Sequence, residues 1–170
     1  MKNIVRTIEV VANVAIILVA VSLGVVLISR TIRNYRAASV EPANTAPVKN
    51  QKIQLPGVDW SKNEKTLVMA ISSTCHFCTE SAAFYRDIRA RTSVHTVAVL
   101  PQSVNEGRNY LSRLGVQVDE VLQVPLSSID VSGTPTLMLV GRDGTVIRSW
   151  LGKLPPDLEK EVLLSVGAEG

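Results

Sequence analysis

Cysteine is almost missing from this chain of 170 residues: two occur, Cys75 and Cys78, three positions apart. A disulfide-stapled secreted fold needs more of them, spread along the sequence, so two thiols used once and together point to chemistry or metal rather than scaffolding. Histidine is as scarce, with only His76 and His95. Aromatic residues make up 4% of the chain, so a globular core must rest on Val, Leu and Ile. Charged residues reach only 19%, the net charge is +3, and no Lys/Arg block is long enough for a nucleic-acid surface. No internal repeat is visible.

What the chain does have is one long apolar run. Val10 to Ser29 carries no charge over twenty residues, and Asn13 is its most polar side chain. At helical rise this spans roughly 30 Å, the thickness of a bilayer core. A cleavable signal peptide has a shorter apolar region followed by a small-residue cleavage site. Here Arg30, Arg33 and Arg36 follow instead, so residues 10–29 are expected to be a retained transmembrane anchor after a flank at 1–9. Lys2, Arg6 and the terminal amine, opposed by Glu9, nearly balance those arginines. Counted literally, the charges lean toward a cytoplasmic C-terminal domain. Residues 30–56 form the expected juxtamembrane linker, and from 37 onward they are rich in Ala, Pro, Asn and Lys with no apolar period.

Residues 57–170 read as an α/β domain. The run Thr66 to Ser72 predicts a strand buried on both faces. Thr74 is placed to cap a helix reaching about Arg91, with Phe77, Phe84 and Ile88 sharing one face. Val94 to Leu100 predicts a second buried strand closed by Pro101, and Asn105 to Leu114 a helix ended by Gly115. Thr136–Val140 and Thr145–Trp150 flank a Gly-Arg-Asp-Gly hairpin signal, and a last helix begins near Pro155-Pro156-Asp157 with Leu158, Val162 and Val166 toward the sheet. The order is βαβα then ββα around a central mixed sheet.

Cys75-His76-Phe77-Cys78 falls where a buried strand meets a helix N-terminus. Free backbone N–H groups and the helix dipole favour a thiolate there, and one turn later the second sulfur is within disulfide reach. Cys75 is thus the expected attacking thiol and Cys78 the resolving one, with His76 able to add positive charge when protonated. A zinc half-site needs a further Cys or His pair, and His76, adjacent to Cys75, is badly placed to share its ion. A c-type haem site is excluded because Thr79 follows Cys78. The second element is Gly133-Thr134-Pro135-Thr136, ahead of the hairpin strand. A cis Thr134–Pro135 bond would hold Pro135 against the dithiol and leave the Thr134 backbone to pair with an extended substrate.

Together these motifs resemble the thioredoxin superfamily. The anchor, the Leu55-Pro56-Gly57 lead-in and the Val58-Asp59-Trp60 that follows are similar to bacterial tethered thioredoxin-like proteins of the TlpA and ResA kind. The resemblance covers about residues 55–168. It implies a nucleophilic Cys75, a resolving Cys78, a cis Pro135, an extracytoplasmic (periplasmic) domain and membrane partners that supply or take electrons. It outweighs the near-even charge count. The sequence departs from the family at three places: Phe77 where many relatives have proline, Thr74 where tryptophan is common, and no acid in the strand Thr66–Ser72. Glu80, the nearest acid, reads as a solvated helix residue.

The expected function is therefore thiol–disulfide exchange on protein thiols or disulfides by a single-pass membrane protein, using His76, Phe77, Thr134 and Pro135 to modulate or bind, with no cofactor, no resident metal and no nucleic acid. The competing reading is copper binding or delivery through Cys75, Cys78 and His95. Peroxide reduction is disfavoured because Ser72-Ser73-Thr74 lacks the proline such enzymes place ahead of their cysteine. His95 reads as a core or edge residue, Trp150 as packing beneath the last helix, and Arg86, Arg89 and Arg91 as a solvated helix face.

Overall fold

The computed structural model describes residues 51–167. The expected flank, membrane anchor and most of the linker lie outside the described residues. Among those described, no helix is long and apolar enough to cross a membrane.

Five strands form one sheet: β1 (Lys65–Ala70), β2 (His95–Leu100), β3 (Glu120–Gln123), β4 (Thr136–Gly141) and β5 (Val146–Leu151), in the order β3-β2-β1-β4-β5. β1 runs parallel to β2 and antiparallel to β4, so the sheet is mixed as expected. Among the described residues four α-helices accompany it: α1 (His76–Glu80), α2 (Ala82–Arg91), α3 (Val104–Arg113) and α4 (Pro156–Ser165).

The apolar runs read as doubly buried strands are so because the sheet has two cores. Leu67, Met69, Ala98, Leu100, Leu137 and Leu139 face one cluster, which α2, α3 and α4 cover with Phe84, Ile88, Tyr110, Leu111 and Val162. Val68, Ala70, Val97, Val99, Met138 and Val140 face the other. The alternation follows the period of two along a strand. Among the described residues this second face is covered by Ile53, Leu55 and Trp60 and by the short turn holding Ile129 rather than by an α-helix. The linker expected to reach residue 56 is therefore docked from about Gln51: Lys52 bridges to Thr145, and Ile53 N–H donates to Gly144 O at 2.9 Å. Spacing of Ile53 and Leu55 by two, the strand period, is what buries both.

Four sequence expectations change. The helix drawn from Thr74 to Arg91 is broken at Ser81, whose hydroxyl donates to Phe77 O at 2.8 Å and whose backbone ends one helix and starts the next. The break resets the helical phase, so Phe77 does not share the face of Phe84 and Ile88 and is 55% exposed. The cap is Cys75 itself, not Thr74. The parallel strand β3 has no counterpart among the expected elements, because Glu120-Val-Leu-Gln123 is short, half polar and at the sheet edge. Trp150, by contrast, packs under α4 as expected and donates to Glu161 Oε1 at 2.7 Å.

The hairpin between β4 and β5 turns at Gly144, which has φ +79°. A Cβ there would lie 3.0 Å from the Trp60 ring and 3.2 Å from the Ile53 carbonyl. Gly57 has the same φ with nothing within 4 Å. Gly57→Ala is expected to cost about 1 kcal/mol of backbone strain. Gly144→Ala must also displace the docked segment and is expected to cost about 3 kcal/mol. Equal denaturant midpoints for the two variants would contradict this account of the second face.

Candidate functional site

Register brings the site together. Ala70 of β1 pairs with Val99 of β2 and with Thr136 of β4. The chain leaving β1 toward Cys75, the chain leaving β2 at Pro101, and the chain entering β4 from Pro135 therefore meet at one end of the sheet. Parallel strands place helix N-termini at that end, and a helix N-terminus holds unpaired N–H groups that favour an anion.

Cys75 is the N-cap of α1, and its Sγ accepts the N–H of Cys78 at 3.2 Å. Thiol sulfur thus takes the place usually filled by a Ser or Asp oxygen. Its S–H donates to the carbonyl of Thr134 at 3.3 Å, and the Thr134–Pro135 peptide is cis. Cys75 is half-buried, Cys78 fully buried, and both are free thiols. Burial, reinforced by the hydrogen bond and charge of Cys75, pushes the Cys78 thiol up to about 12. Burial also raises the neighbouring Tyr85 phenol, with Cys78 adding to it. The buried polar residues among those described are serines and threonines, so no buried carboxylate stands there to take the Cys78 proton.

The expected modulators take different places. The His76 side chain is 79% exposed and turned to Glu80, its Nε2 lying 3.0 Å from Oε1. Glu80 also accepts from Lys153 at 2.8 Å, which with His76 holds its carboxyl below the usual range. Glu80 is an exposed helix residue, as expected, and it also ties α1 to the loop after β5 and lies against His76. Exposed pairs of this kind contribute little to stability. Phe77 stands beside the His76 ring, centroids 5.9 Å apart, as an apolar surface at the rim of the dithiol.

The copper set does not converge. His95 pairs in register with Thr66, at the far end of β1 from Cys75, and meets Glu120 at 3.0 Å and Asp119 at 3.6 Å. Four strand steps alone separate the two ends by roughly 13 Å. Among the described residues no group of three His, Cys, Asp or Glu side chains is placed to hold a metal ion. Arg89 and Arg91 are paired with Asp119 and Asp87, and Arg86 donates to Leu114 O at 2.7 Å, so that helix face is solvated but not free.

Gln102 and Ser72, which carry no site motif in the sequence, bond to one another beside the cysteines: Gln102 Nε2 donates to Ser72 Oγ at 2.9 Å. One signal was available: Pro101 ends β2 at the sheet end where β1 also stops, so the next side chain lies near the Cys75 turn.

Burial of Cys78 has a measurable sign. Unfolded, the thiol ionises near its ordinary value of 9.0; folded, it does so at about 12. The native state therefore holds a proton that the unfolded chain releases, and the stability this gives is complete below pH ~9 and lost as pH rises toward 12. The reduced protein is expected to lose denaturant resistance from pH ~9 upward, and Cys78→Ala to flatten the decline. In the same range, iodoacetamide is expected to label Cys75 of the native protein and Cys78 only after unfolding.

No family model matches the chain, and no curated protein does. Solved structures do. A protein described as a thiol:disulfide interchange protein DsbE from Chlorobium tepidum superposes with a TM-score of 0.54 at 21% identity, covering 70% of this chain and 96% of its own. A thiol-disulfide isomerase from Corynebacterium glutamicum gives 0.51 at 13% identity over 74% of this chain and 97% of its own. A thioredoxin from Neisseria meningitidis gives 0.52 at 14% over 69% and 88%. With the strand order, the cis-proline ahead of β4 and the dithiol at the start of α1, these likenesses identify residues 51–167 as a thioredoxin fold.

Proposed function

We propose that this protein is a membrane-tethered thiol–disulfide oxidoreductase that exchanges disulfides with protein substrates through Cys75 and Cys78. The observation that carries the reading is the sulfur of Cys75 at the cap of α1, accepting the Cys78 N–H and lying 3.3 Å from the Thr134 carbonyl. Interchange proteins and an isomerase among its structural neighbours support the same chemistry.

The exchange needs only the two thiols. Thiolate at Cys75 attacks one sulfur of a substrate disulfide; that S–S bond breaks, and the departing sulfur leaves as a thiolate that takes a proton. A Cys75–substrate mixed disulfide remains, and Cys75 no longer has an S–H for the Thr134 carbonyl, which is released to pair with the substrate backbone. Cys78 then loses its proton and attacks Cys75 Sγ, expelling the second substrate sulfur, which accepts that proton. The products are a Cys75–Cys78 disulfide and a reduced substrate, with two electrons moved. In the reverse direction the same disulfide oxidises a dithiol. A membrane redox partner that supplies or takes two electrons resets the pair, residues 10–29 anchor the chain as a single-pass protein, and the domain lies on the extracytoplasmic, periplasmic side. Phe77 supplies apolar contact for the segment flanking the substrate cysteine.

Three experiments test this. Cys75→Ser is expected to abolish exchange with a disulfide-bonded protein, and Cys78→Ser to accumulate a mixed disulfide through Cys75 that denaturing non-reducing gels resolve. If both variants keep wild-type exchange, the dithiol is not the active group. Deleting residues 1–36 is expected to release the protein from the membrane fraction, and a reporter fused after Gly170 to work only outside the cytoplasm; membrane retention of the deleted form or a cytoplasmic reporter signal would overturn the topology.

A further inference from the structure

Three successive backbone N–H groups, of Ser73, Thr74 and Cys75, lie in the turn that leads into α1, and a single side chain from elsewhere in the fold accepts the first and bonds the hydroxyl that accepts the second. Ser73 N–H donates to Gln102 Oε1 at 3.4 Å, while Gln102 Nε2 donates to Ser72 Oγ at 2.9 Å. Thr74 N–H donates to the same Ser72 Oγ at 3.3 Å, and the hydroxyls of Ser72 and Thr74 meet at 3.0 Å. With two N–H donors already directed at Ser72 Oγ, its one proton goes to Thr74 Oγ1. The third group, Cys75 N–H, donates to Ser72 O at 3.1 Å. Ser73 N–H can only donate, so the orientation of the Gln102 carboxamide is fixed from both ends. Ser73 is further held by Glu106, whose Oε1 accepts its hydroxyl at 2.7 Å.

Gln102 itself stands on a firm base. It follows β2, where Leu100 O accepts Val124 N–H at 2.8 Å and Pro101 O accepts the Gln123 side chain at 3.3 Å. We propose that Gln102 is a positioning residue for the dithiol: its carboxamide holds the Ser72–Thr74 turn in the shape that presents Cys75 Sγ to the N–H of Cys78. This deepens the reading of Cys75 as the nucleophile and rests on it. The N–H contact counts most when Cys75 attacks as a thiolate, because charged sulfur is the stronger acceptor, and that ion belongs to the reduced form alone. Loosening the turn therefore weakens the reduced form selectively and moves the dithiol–disulfide equilibrium toward the disulfide.

The test is the equilibrium constant of the full-length protein with glutathione, read as the ratio of dithiol to disulfide after acid quench, alkylation and mass spectrometry. Gln102→Met keeps length and shape while removing both hydrogen bonds; Ser72→Ala removes the other end of the clamp. Each is expected to shift the constant roughly three- to tenfold toward disulfide, the worth of one such hydrogen bond. The double variant is expected to shift no further than the larger single one, since both break the same contact. Gly144→Ala, destabilised at the opposite end of the sheet, is expected to leave the constant within about twofold. A change in overall stability alone lowers both redox forms together and moves nothing. An unchanged constant in Gln102→Met, or shifts that multiply in the double variant, would overturn the proposal; should Gln102→Met not fold, an unchanged constant in Ser72→Ala decides against it. Failure of the wild-type pair to form a disulfide at any glutathione ratio overturns the underlying reading of Cys75 as well, and is distinguished by needing no variant.

Discussion

One hydrogen bond organises the site: the N–H of Cys78 directed at the sulfur of Cys75. A helix N-terminus leaves donors that something must satisfy, and here the satisfying atom is the sulfur proposed to attack. Because Cys75 occupies the cap, α1 begins at His76 and one turn brings Cys78 beneath it, into the core. The first sulfur is left half-exposed, accepting the Cys78 N–H, and the second is buried, which raises its thiol pKa. A single cap thereby divides the labour between two chemically identical side chains.

That division sets the character of the chemistry. In the proposed exchange, the N–H at the first sulfur favours the attacking thiolate, while the second thiol, buried with no buried carboxylate among the described residues, gives up its proton as it attacks. The substrate sulfur expelled in that step leaves as a thiolate and takes up a proton. Charges at the rim have less weight, since Glu80 accepts both His76 and Lys153 in an exposed position where solvent screens all three.

Much of this was legible in the sequence, and particular residues explain where legibility ended. The doubly buried runs at 66–72 and 94–100, the hairpin at Asp143-Gly144 and the proline-led last helix are local patterns, and each formed within a few residues of its expected place. The cis Thr134–Pro135 peptide and the meeting of Thr134 with Cys75 follow from motif and topology together. What local pattern did not contain was long-range geometry. The break at Ser81 depends on a serine hydroxyl returning to Phe77 O. The edge strand β3 exists because β2 lies beside it, not because its four residues prefer extension. Gln102 gains its partners only when the ends of β1 and β2 are set side by side, 29 and 30 residues from the serines it binds. Residues 52–55 looked like linker by composition, yet two apolar side chains at strand spacing were enough to dock them.

The central claim is that the two sulfurs form and break a bond with each other reversibly. A redox titration of the native protein, following the mass of the peptide containing Cys75 and Cys78, tests it directly. The account predicts one reversible two-electron transition between the free dithiol and an internal disulfide. Accumulation of a glutathione adduct on Cys75 with Cys78 still free, across the whole range of potentials, would contradict it.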